Sequence, residues 1–200
     1  MISDILHVTQ DEASIKEALM QAEAVAAYRG LEKKAALELR LLTEEMMGLV
    51  QALTGQREAD FWIESEGLKF QLHLKADAIV NTEMRKRLLS VSSNGKNASA
   101  KGFMAKIRDL FERSMEPADA DEEATLASGA YYNYSHEFGD IGFTNAYVWS
   151  LNRYRESIQT NPKPKETWDE LEKSVVAKIA DEVVMGIKKN TIEMVIYKKF

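Results

Sequence analysis

The stretch Arg40-Leu-Leu-Thr-Glu-Glu-Met-Met-Gly-Leu-Val-Gln-Ala-Leu53 carries the chain's clearest chemical option. Glu44 is an acid in a helical pattern, and Gly48 follows it one turn later, off the main apolar stripe. A carboxylate held on a helix can serve as a general base or orient a nucleophile. A glutamate in the same place on a solvated helix face has no chemistry at all. Glu45 adds nothing catalytic, because neighbouring helix residues point about 100° apart and form no dyad.

Other chemistries are excluded more firmly. The chain has no cysteine, which removes disulfides, thiolate catalysis and Cys-zinc sites. His7, His73 and His136 are far apart and show no ligand spacing, so no metal site is expected. His73 falls on the polar side of an alternating strand and is expected in solvent. The pattern GxxxxGK[ST] is absent, since Gly95-Lys96 is followed by Asn97. A formal net charge of -6 argues against duplex nucleic acid as a partner. The 200 residues are 45% apolar and 29% charged, the composition of a soluble globular protein with a real core. No stretch approaches the roughly 18 apolar residues of a membrane helix, and Met1 to Glu12 lacks the basic start of a signal peptide. A cytoplasmic protein without a membrane or nucleic-acid partner is expected.

The elements that must position these residues follow from periodicity. Ile5 to Thr9 is a candidate strand. Asp11 caps a helix to about Arg29, with Gly30 as its stop. The next helix, about Glu32 to Leu53, buries Leu39, Leu42, Met46, Leu49, Val50 and Leu53. Its second face holds Leu37, Leu41, Glu44, Gly48 and Gln51, and the leucines predict partial cover there. Asp60 to Glu64 and Leu68 to Leu74 read as strands joined by a turn at Ser65-Glu66-Gly67. A short helix at Thr82 to Leu89, a breaker-rich loop from Ser90 to Gly102 and a helix to Phe111 come next. An acidic connector, Glu116 to Glu123, leads to an aromatic span with a predicted helix over about Thr144 to Ile158. After the stiff Asn161-Pro-Lys-Pro164, a helix from about Glu166 to Glu182 precedes strands Val183 to Lys188 and Thr191 to Lys199.

Hairpin-joined strands with helices between the pairs predict an α+β fold: a two-layer α/β sandwich with a mixed, mostly antiparallel sheet and helices on one face. Residues 1–111 and 166–200 would form the sandwich, with 112–165 as a helical insertion.

This order, with Thr43-Glu-Glu-Met-Met-Gly48, Leu74-Lys-Ala-Asp-Ala-Ile-Val-Asn81, Ala100-Lys-Gly-Phe103 and Asn190-Thr191, resembles the GHKL ATPase fold. Bacterial anti-sigma-factor serine kinases are the nearest likeness within it. The resemblance implies a Bergerat-like nucleotide site. Glu44 would stand at the general base, and Asp77 at the acid that reads the adenine amino group. Asn81 and Ile79 replace the glycines that follow that acid. Lys96, Lys101 and Gly102 would belong to the phosphate lid, and Thr191 to the family's terminal threonine segment. Gly48 stands where the family has an asparagine that holds magnesium, and glycine offers no ligand.

The resemblance therefore implies a bacterial regulatory protein with a degenerate nucleotide-binding domain. It would bind ATP or ADP with magnesium in doubt and Glu44 as a vestigial base. It would act by nucleotide sensing or protein–protein interaction. An active serine kinase and a ligand-free interaction protein are the alternatives. A regulatory protein partner is expected, with the tyrosines and tryptophan between Tyr131 and Tyr154 as one route to it, and a homodimer is a further option. Those aromatics can equally pack a small subdomain.

Overall fold

The computed structural model describes residues 1–9, 11–54, 58–77, 131–132, 147–160, 174–188 and 191–200. In chain order these form β1 (Leu6–Val8), α1 (Glu12–Tyr28), α2 (Lys33–Thr54), β2 (Ala59–Glu66) and β3 (Lys69–Asp77). There follow β4 (Tyr131–Tyr132), β5 (Tyr147–Ser150), α3 (Leu151–Thr160), α4 (Val175–Ile179), β6 (Glu182–Lys188) and β7 (Thr191–Lys199). The predicted helices about Thr82 to Leu89 and Gly102 to Phe111 lie outside the described residues, as do the connector at Glu116 to Glu123 and the linker at Asn161 to Pro164.

The seven strands make one sheet in the order β1-β2-β3-β7-β6-β5-β4, and every pairing in it is antiparallel. The fold is the expected α+β sandwich. The chain reaches β7 from β6 by a hairpin, yet β7 lies beside β3, so the first and last hairpins meet at the centre of the sheet.

Period-two alternation decides which face is apolar. Phe61 and Ile63 of β2, Phe70, Leu72 and Leu74 of β3, and Met194 and Ile196 of β7 all point into one buried cluster. The described helices join the same cluster through Ala18, Ala22, Leu39, Leu42, Met46, Tyr154 and Val176, so they all cover one face. The span read as a helical insertion behaves differently from the expectation. Its residues 131–132 and 147–150 are strands of the same sheet, and Trp149 is fully buried in the common core. The predicted helix there begins only at Leu151. Tyr147 to Ser150 instead extends along β6, where Trp149 stands opposite Met185.

Helix α1 shows how local signals fix an element. The Asp11 carboxylate accepts from Ser14 N–H at 2.9 Å, and Asp11 itself is extended, as an N-cap should be. At the other end Gly30 takes φ +68, while Gly30 N–H reaches Ala27 O at 3.1 Å and Leu31 N–H reaches Ala26 O at 2.9 Å. That double bond is a Schellman stop, and only a residue without Cβ adopts the left-handed turn at no strain.

The Asp11 cap carries a pH prediction. A hydrogen bond from Thr9, then the Ser14 amide, holds the Asp11 carboxyl below its ordinary value. A depressed folded pKa gives stability that is present above the unfolded value and lost as pH falls through the folded one. Asp11→Ala is therefore expected to lower the unfolding midpoint at neutral pH. The gap to wild type should close on acidification below the ordinary aspartate range, as followed by circular dichroism.

Two other expectations change on contact with the fold. Leu68 reads as an inward strand residue but sits in the two-residue turn with Gly67, whose φ is 59, and is 51% exposed. The helix expected to run to Glu182 ends at Ile179, and Glu182 opens β6. The second face of α2 is covered in part, with Leu41 half-buried, Leu37 53% exposed, and Glu44 and Gly48 both exposed.

Candidate functional site

The antiparallel register brings two of the sequence's site residues together. Asp77, the last residue of β3, stands directly opposite Thr191, the first residue of β7, which in turn pairs with Lys188 at the end of β6. Asp77 and Thr191 are 114 positions apart in the chain and neighbours only because β7 inserts beside β3.

Helix α2 delivers its C-terminal end to the same end of the sheet. It stops at Thr54, and β2 starts at Ala59, which pairs with Ala76 next to Asp77. With a rise of about 1.5 Å per residue, Gly48 lies roughly 9 Å and Glu44 roughly 15 Å back along the helix from Thr54. Both belong to the exposed face, whereas Met46, Met47, Leu49 and Val50 are buried. Among the described residues nothing lies within 4 Å of where a side chain at Gly48 would begin, which leaves room for one there.

Glu44 does not have the surroundings of an activated base. Its carboxylate is 55% exposed and lies 3.9 Å from Arg40 Nη1, an i,i+4 pair on the helix surface. Arg40 is committed more closely to Glu23, with Nε to Oε1 at 2.8 Å, which ties α2 to α1. Asn81, Lys96, Lys101 and Gly102 lie outside the described residues. Among the described residues no group of three or more His, Asp or Glu side chains can hold a metal ion.

His73 is a residue whose surroundings the sequence reading misplaces. It is on the face away from the helices, as its alternation requires, but it is only 7% exposed. Its ring stacks on Trp62 at 4.5 Å between centroids and 7° between planes. Glu64 Oε1 lies 3.7 Å from Nε2 and Glu193 Oε1 lies 3.8 Å from Nδ1, beyond hydrogen-bond range on each side. His73 is flanked by Trp62 and Val195 across the two neighbouring strands, and Val195 and Val184 beyond it are also buried.

No family model, no curated protein and no solved structure matches this chain. Among the described residues no helix is long and apolar enough to cross a membrane.

Proposed function

We propose that the chain is a regulatory protein with a degenerate GHKL-like nucleotide-binding domain, in which Asp77 reads the adenine edge of ATP or ADP. The observation that carries this reading is the pairing of Asp77 with Thr191 at the end of the sheet where α2 terminates. Two independent sequence motifs meet there. The element order supports it as well: strand, two helices, hairpin, and a closing hairpin whose last strand returns to the centre.

Hydrolysis is not part of the reading. Phosphoryl transfer rests on positioning and on neutralising phosphate charge with metal. Gly48 supplies no oxygen, and Glu44 is a solvated acid paired weakly to Arg40. Asn81, Lys96, Lys101 and Gly102 are assigned to the nucleotide on the resemblance alone. The protein would act by sensing nucleotide and passing that state to a protein partner in a bacterial cytoplasm.

The test is thermal unfolding with nucleotide. A ligand that binds only the native state stabilises it by mass action, about 2.7 kcal/mol at a hundredfold excess over Kd. ADP or ATP should raise the unfolding midpoint to the same extent with and without magnesium, and Asp77→Asn should remove the rise. Gly48→Asn should make the ATP effect depend on magnesium, because the position has space for the ligand. No rise at millimolar nucleotide rejects the proposal.

A further inference from the structure

We draw no further inference here: the strongest candidate, the side-chain cluster of His73, Trp62, Glu64 and Glu193 on the sheet face away from the helices, where both buried ring nitrogens of His73 lack a hydrogen bond, carries nothing because nothing in the structure shows what covers it.

Discussion

Phe61→Ala is expected to lower the stability of the protein by about 3–5 kcal/mol, the usual range for deleting a fully buried ring. Phe61 has 0% exposure at the centre of β2. Its strand neighbours are Leu6 of β1 and Leu74 of β3, and both turn toward the cluster under α1 and α2. A cavity there cannot be filled by one mobile side chain, because two strands and two helices would have to move together. A domain of this kind has roughly 5–15 kcal/mol in total. The variant should therefore unfold at much lower denaturant, with the slope of the transition unchanged. A loss under about 1 kcal/mol would mean that the helix layer is not packed on β2 as described.

Glu182→Ala is expected to cost about 2–4 kcal/mol, although Glu182 looks from the sequence like a helix-terminal acid. The carboxylate is 4% exposed and fully used. Ser150 Oγ donates to Oε2 at 2.9 Å, and Oε1 accepts from Asn152 N–H at 3.2 Å and Val183 N–H at 2.7 Å. The Ser150 hydroxyl also accepts from Arg153 N–H at 3.3 Å, so Glu182 and Ser150 together cap the first turn of α3. Alanine would leave buried donors without an acceptor, which costs more than the net worth of the bonds. Glu182→Gln keeps one acceptor oxygen and should lose roughly half as much or less. Equal losses for the two variants, by urea unfolding, would contradict this role.

These examples show what the sequence makes legible. Elements written in local chemistry are readable: the Asp11 cap, the Gly30 stop, the apolar stripe of α2 and the alternation of β3 and β7 match the folded chain. Leu68 fails because a two-residue turn uses it up, and alternation alone does not locate a turn. His73 fails because its ring stacks on Trp62 of the neighbouring strand, which its own strand pattern does not contain. Glu182 fails for the same reason, since its partners are 30 and 32 positions away.

The candidate site divides in the same manner. Asp77 and Thr191 can each be picked out from a motif, but their opposition is a property of the register between β3 and β7. Glu44 is legible as an acid on a helix, and the folded chain keeps it exposed beside Arg40. Gly48 is exposed, with open space beside it among the described residues; under the proposed reading it is the position that lacks a metal ligand, which favours binding over catalysis.

The central claim is that adenine nucleotide sits against the Asp77–Thr191 end of the sheet. The most direct measurement is a titration of the isotopically labelled protein with ADP, following backbone amide resonances. The account predicts that the Asp77 and Thr191 amides shift together along one binding curve, and that the Asp77→Asn variant shows no such curve. Unmoved Asp77 and Thr191 amides at millimolar ADP, or shifts confined to another part of the sheet, would contradict it.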